Sequence, residues 1–296
     1  MKIDSSSPGT GLTGFLDLAE VAHDLFRGWC HDGVPRRAFG GQVAAQALAA
    51  AGRTVPEGRA VHSLHGYFLR GGRTDRPIDY RVERVRDGGS YLSRQVSALQ
   101  DGEAVLTLTA SFKSAERSWD RQTGTPATAG PEQAPDLYRL WAAAAPEDLA
   151  QALYQQALEI RRVPAAAEPT TPGLTEQKLW IRSVDRLPDE PLLHACALAY
   201  ASDLFLAPTA ALSVEPPRPL RDVPSQVYQA SLDHAVWFHR PFRADDWLLF
   251  AQRSPTAVDG RALVLADVWT RDGRLVASVV QEAVLRPLRR DGRVRG

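Results

Sequence analysis

At 296 residues, 44% hydrophobic and 24% charged, the chain has the composition of a globular protein with a sizeable core, as one large domain or two ordinary ones, which excludes disorder as its main state. Acidic and basic residues balance at 35 each, so no global field recruits nucleic acid or an anionic membrane surface. Cys30 and Cys196 have no CxxC spacing, the N-terminus has no apolar h-region, and no apolar run reaches the ~18 residues of a membrane span, so the expected location is a reducing cytosol without membrane insertion.

Arginine outnumbers lysine in an alanine-rich chain, as in proteins of GC-rich bacterial genomes. GTGLTG near the N-terminus lacks a following Lys-Ser/Thr pair and precedes any strand, so it does not read as a phosphate loop. FGGQVAAQALAAAGRTV then places Val43, Ala47, Leu48 and Ala51 on one helical face, opening on Gly40-Gly41 and closing near Gly52. Free N–H groups at such a helix start can polarise a carbonyl or hold an anion, and a Gly-Gly pair equally serves close packing. Strand-like segments follow: SLHGYFLR (63–70), IDYRVERVR (78–86), SYLSRQVSAL (90–99) and, after Asp101-Gly102, EAVLTLTASF. Asp-Gly between alternating strands is a strong hairpin signal.

Residues 116–176 shift to Pro, Ala, Thr and Glu and read as a linker with one amphipathic helix over 135–159 and an extended piece, EIRRV. QKLWIRSV (177–184) is the expected first strand of a second half. A second small-residue helix, LLHACALAYASDLFL, stacks Leu192, Cys196, Tyr200 and Leu204, and is followed by SLDHAVWFHR (231–240), WLLFAQRS, RALVLADVWT, the Asp272-Gly273 turn and RLVASVVQEAVL. The order repeats that of residues 1–115, and the arginine-rich tail reads as a solvated end. One helix followed by antiparallel strands, twice over, predicts an α+β fold in which each sheet curls around its own helix.

Polar groups inside apolar periodicity carry information, because an unpaired buried polar group costs about 1–3 kcal/mol. Asp203 lies seven residues after Cys196, which projects its carboxylate near the apolar stripe; the alternative is a helix that stops at Ala201 with Asp203 capping a turn terminated by Pro208. Gln281 shares a strand face with Ala277, Val279, Ala283 and Leu285, either as a site residue or as an internal tie to backbone. Aligned on the Asp-Gly turns, its counterpart is Ala110, so the repeat predicts one functional site per pair. Strict alternation along 231–240 puts Ser231, Asp233 and His239 on one face and His234 on the other. That arrangement disfavours a shared metal ion and, without a GxSxG elbow, a Ser-His-Asp nucleophile.

FGGQVAAQAL, VHSLHGYFLRGG, YASDLFL, SLDHAVWFHRPF, DGRLVAS and VQEAVLR occur in that order, and together they resemble the acyl-CoA thioesterase II family. The resemblance implies a tandem (double) hotdog fold, with an N-terminal hotdog at 1–115 and a C-terminal hotdog at 177–296 that carries the site. It implies hydrolysis of acyl-CoA to a carboxylic acid and CoA, with Asp203, Ser231 and Gln281 as catalytic residues. Ser231 stands where the family has Thr or Ser, Val236 where it often has Met, and Asp233 reads as structural. In the implied scheme Asp203 is general base to a water held by Ser231 and Gln281, and backbone N–H groups at Gly40 and Gly41 meet the oxyanion. The scheme needs no metal or redox cofactor and no histidine, and His62 and His65 of the VHS-x-H pattern read as structural hydrogen-bonding groups. CoA phosphates imply basic residues at the mouth, for which Arg70, Arg73, Arg240 and Arg243 are the candidates, and homo-oligomerisation through the hotdog sheets is the expected assembly. Two rivals remain: a catalytically idle or carrier-protein-directed acyl-thioester-binding protein, and a hotdog dehydratase. The dehydratase would need a histidine paired with an acid near the helix, and none adjoins Asp203 in sequence.

Overall fold

The computed structural model describes residues 11–31, 37–139, 157–164, 174–214 and 227–288. A short helix α1 (Gly11–Phe15) leads into strands β1 (Ala19–Ala22) and β2 (Leu25–Gly28), helix α2 (Gly40–Arg53), and strands β3 (Arg59–Phe68), β4 (Ile78–Asp87), β5 (Tyr91–Gln100) and β6 (Glu103–Ser114). The second half repeats the plan with β7 (Leu158–Arg162), β8 (Thr175–Ser183), α3 (Pro191–Ser202), an added helix α4 (Leu206–Ala211), then β9 (Val227–Ser231), β10 (Asp233–Phe238), β11 (Leu248–Val258), β12 (Arg261–Thr270) and β13 (Leu275–Pro287). These strands form one antiparallel sheet in the order β1-β2-β4-β5-β6-β3-β10-β13-β12-β11-β8-β7, with β9 also on β13. The order reads the same outward from the β3–β10 seam, so the molecule is a tandem hotdog with an internal pseudo-two-fold axis. Pairing of Asp233 with Tyr67 through Trp237 with Ser63 closes the seam.

The two central helices are buried on almost every side. Gly41 through Ala51 of α2 and His194 through Ser202 of α3 are continuously buried, so the single apolar face expected of α2 becomes a buried circumference, in which Gln42 and Gln46 bond the Phe15 and Trp29 carbonyls. The sheet covers one side and the other helix covers the opposite side, which only small residues permit. A Cβ added at Gly41 would stand 2.6 Å from the Tyr200 carbonyl oxygen, and one at Gly52 would stand 2.3 Å from Leu192 Cδ2. The start of α2 therefore touches the end of α3 and the reverse, an antiparallel pair. Pro191–Ala211 is apolar and long enough to cross a membrane, yet most of it is buried as core. Cys30 and Cys196 are unpaired within this core, where burial pushes both thiols up to about 12.

Two local expectations are corrected, and the two expected hairpins form. EIRRV, read as linker, is β7, an edge strand paired Leu158–Ser183 through Arg162–Leu179, so the second sheet begins before QKLWIRSV; its pseudo-symmetric counterpart, β1, has no clear alternation in sequence. Residues 116–139 also lie on the second half: Gln122 and Thr125 donate to the Gly273 carbonyl, and Trp180 Nε1 donates to Ala129. The predicted linker helix falls mostly in 140–156, outside the described residues. Finally, the two Asp-Gly turns differ. Asp101 and Gly102 both have positive φ (53° and 83°), the two-residue hairpin form, whereas in the second turn only Gly273 does (84°).

Candidate active site

Asp203 follows the first of the two readings left open by periodicity, a carboxylate carried into the interior at the helix end. Helix α3 ends at Ser202, Asp203 is its C-cap, and the side chain is nonetheless buried at 7% exposure. Pro208 does not terminate the turn; it lies in the first turn of α4, where a missing N–H costs nothing. A carboxylate at a helix C-terminus opposes that helix's dipole. Here the N-terminus of α2 faces it, and the Gly41 backbone N–H donates to the carboxylate. The space beside it is made by a missing side chain: a Cβ at Gly40 would lie 2.8 Å from Asp203 Oδ2 and 3.0 Å from the Phe68 ring.

Ser231 and Gln281 converge on Asp203 from the sheet. Ser231 Oγ donates to Asp203 Oδ1 at 3.1 Å, and Gln281 Nε2 donates to Ser231 Oγ at 2.7 Å. Burial pushes the Asp203 carboxyl above the usual carboxylate range; His234 and the hydrogen bonds from Ser231, Gln281 and Gly41 pull it back without cancelling that effect.

The sequence reading missed His234. Strict alternation placed it opposite Ser231, but the register shows otherwise: Ser231 pairs with Ala283 while Ala235 pairs with Val280. Four steps on β9–β10 against three on β13 make a β-bulge at Leu232, which reverses the facing of everything after it. His234 therefore turns inward with Ser231. It is 1% exposed, with Nδ1 at 2.7 Å from Gln281 Oε1 and Nε2 at 2.8 Å from Ser202 Oγ. The ring does not touch Ser231, so no Ser-His-Asp nucleophile forms, for a reason other than the one expected. Asp233 is structural as read: its Oδ1 accepts the Glu282 backbone N–H at 2.6 Å, and Leu232 N–H donates to the Glu282 carbonyl at 2.9 Å.

The remaining candidates separate by position. His62 bonds Ser111 Oγ at 2.8 Å and His65 packs edge-on against Trp237, both away from Asp203. Phe68 N–H donates to Leu232 O, which brings the end of β3, and with it Arg70 and Arg73, to the Ser231 end of the seam. Arg70 meets Ala104 O and Glu103, and Arg73 meets Asp75. Arg240 lies at the other end of β10, where it holds Leu275 O, Asp120 and Arg121 O, and Arg243 is engaged by Asp245 and Asp189. A surface cavity of about 850 Å³ also lies at that far end, lined among others by Arg243, Trp247 and Arg274, and is not the Asp203 site.

The double hotdog carries an Asp-Ser-Gln cluster at its helix junction, with Asp203 and Gln281 buried and Ser231 half-buried, and comparison with known proteins supplies the family. Residues 27–113 match the acyl-CoA thioesterase N-terminal domain and residues 131–285 the acyl-CoA thioesterase C-terminal domain. Acyl-coenzyme A thioesterase 8 of Homo sapiens is 36% identical over 289 residues, covering 93% of this chain and 88% of that protein. Acyl-CoA thioesterase 2 of Haemophilus influenzae is 33% identical over 280 residues, covering 93% and 96%. Among solved structures, an acyl-CoA thioesterase II from Mycobacterium marinum superposes with a TM-score of 0.79 at 40% identity, covering 94% of this chain and 98% of the other. The chain belongs to the acyl-CoA thioesterase II family.

Proposed function

We propose that this chain hydrolyses acyl-CoA thioesters to a carboxylic acid and CoA, with Asp203 as general base. The observation that carries this reading is the Asp203–Ser231–Gln281 cluster, set against the start of α2 with Asp203 and Gln281 buried. Ser231 occupies Oδ1, which leaves Oδ2, on the side of Gly40, to take a proton from water. The hydroxide equivalent attacks the thioester carbonyl, the tetrahedral intermediate collapses, and the CoA thiolate departs; with a thiol pKa near ~8.5 it needs little protonation to leave. Base catalysis of this kind contributes about 10²- to 10⁴-fold. The Gly41 N–H is engaged by Asp203, so its role in this scheme is to steady the base.

Arg70 and Arg73, at the Ser231 end of the seam, are the arginines suited to CoA phosphates; Arg240 and Arg243 belong to the opposite end. The dehydratase reading regains its histidine in three dimensions, since His234 reaches Asp203 through three hydrogen bonds, by way of Gln281 and Ser231. Both ring nitrogens of His234 are, however, held by protein groups, which leaves the imidazole no face for a substrate proton. Cytosolic residence and self-association through the sheets complete the proposal, resting on composition and on the resemblance.

The test is thiol release from a panel of short, long and branched acyl-CoAs. Wild-type turnover that collapses in Asp203→Asn supports the reading. Wild-type turnover that survives the substitution removes Asp203 as base, and inactivity across the panel points to carrier-bound thioesters or binding alone.

A further inference from the structure

His234 is a buried titratable group that the proposed chemistry does not use. Its place in the fold does not require a histidine. The pseudo-two-fold equates β3–β6 with β10–β13: Val61 pairs with Phe112 as Ser231 pairs with Ala283, and each half has its bulge at the next residue, His62 and Leu232. By the same register Leu64 is the counterpart of His234 and Ala110 that of Gln281. Leu64 is 0% exposed and His234 1%, so the same buried socket accepts leucine where the hydroxyl and amide are absent.

The hydrogen bonds show what histidine adds. Gln281 Oε1 carries no proton, so the proton in its 2.7 Å bond belongs to His234 Nδ1. That holds whether the Ser202 hydroxyl turns to His234 Nε2 at 2.8 Å or to Ala199 O at 3.0 Å. A carboxamide rotated by half a turn would present Oε1 to Ser231, accept its proton and withdraw the hydrogen bond from Asp203. We infer that His234 is a positioning residue whose Nδ1–H fixes the Gln281 carboxamide, so that every bond in the chain His234, Gln281, Ser231 donates toward Asp203. Successive donors aligned this way polarise one another. The inference rests on the hydrolytic reading for its effect on rate, though not for the orientation itself.

Two variants and two readouts test it. His234→Leu copies the N-terminal half and keeps the socket filled, and His234→Asn restores an N–H near the position of Nδ1. Nitrogen-15 NMR of the side chains, with the Gln281 amide assigned by its loss in Gln281→Ala, should show a protonated His234 Nδ1 and a slowly exchanging Gln281 amide in the wild type. The amide loses protection in His234→Leu and regains it in His234→Asn. In parallel, kcat for acyl-CoA falls about 10- to 100-fold in His234→Leu at unchanged KM and thermal midpoint, with recovery in His234→Asn. Unchanged Gln281 protection in His234→Leu overturns the inference, as does equal impairment of both variants with lowered thermal midpoints. A wild type that releases no thiol defeats the acyl-CoA reading alone, and the amide exchange still decides the orientation.

Discussion

The two halves share a backbone plan down to the bulge and differ in what fills it. In the C-terminal half Asp203, Ser231, His234 and Gln281 meet at one end of the helix pair. At the other end the equivalent positions hold Thr54, which is the C-cap of α2 as Asp203 is of α3, with Val61, Leu64 and Ala110. The space there is filled from the neighbouring strand: Arg94, paired with Ala110 across β5–β6, is 0% exposed. Its guanidinium donates to Thr54 Oγ1 at 2.8 Å, Thr54 O at 3.2 Å and Asp87 Oδ1 at 2.6 Å. In the active half the same strand pair carries Val264 opposite Gln281. The long polar side chain has changed strands between the copies, and with it one end became a site and the other a plugged, structural junction. The bulge therefore belongs to the fold, and the two junctions differ in the side chains set on it.

The sharpest way to break this comparison is at the base. Asp203→Asn should lower kcat/KM by about 10²- to 10⁴-fold, measured by thiol release. Next, giving the active half the residues of the silent one, Gln281→Ala or Ser231→Val, should lower kcat by about 10²- to 10³-fold, the usual cost of one preorganised donor. Rates near wild type in either would show that Asp203 works without the cluster. Third, Arg94→Ala empties the silent end and should cost about 2–5 kcal/mol in denaturant unfolding, with activity retained below the transition. Arg94→Met, which keeps most of the volume, should cost less, and a loss of turnover in the folded Arg94 variants would mean that the plugged end contributes to catalysis.

The smallest effect separates stability from function at Asp203 itself. Its carboxyl is held above the ordinary value of 3.8 by burial, so protonation favours folding. The stability contributed by the neutral carboxyl is complete below 3.8 and lost as pH rises through the raised native value. Asp203→Asn, neutral throughout, should match wild type in acid and become the more stable protein toward neutral pH. Thermal midpoints measured across that range check the sign, and a variant destabilised at neutral pH contradicts it. The acid limb of kcat/KM should fall in the same elevated range.

Much of this was legible before any coordinates. Both helices, the hairpins at Asp101-Gly102 and Asp272-Gly273 and the burial of Gln281 followed from local period and turn chemistry. The alternative left open for Gln281, an internal tie to backbone, is not what forms, since its amide bonds the side chains of His234 and Ser231. The histidine was hidden because a bulge leaves no mark on a period-two pattern. The one available signal was that SLDHAVWFHR is two residues longer than SLHGYFLR, which made Ser63 look like the partner of Ser231 when Val61 is.

The amino-acid sequence by itself determined two units of one helix and antiparallel strands, their turns and the presence of two polar residues, Asp203 and Gln281, within apolar periodicity, because helical and strand periodicity and Asp-Gly turn geometry act within a few residues. Only the tertiary structure decided that Ser231 and His234 share a face, that the start of α2 meets the end of α3, and that Arg94 closes the second junction. Those outcomes depend on hydrogen-bond register and packing between strands and helices distant in the chain, where one extra residue in a ladder reverses every side chain beyond it.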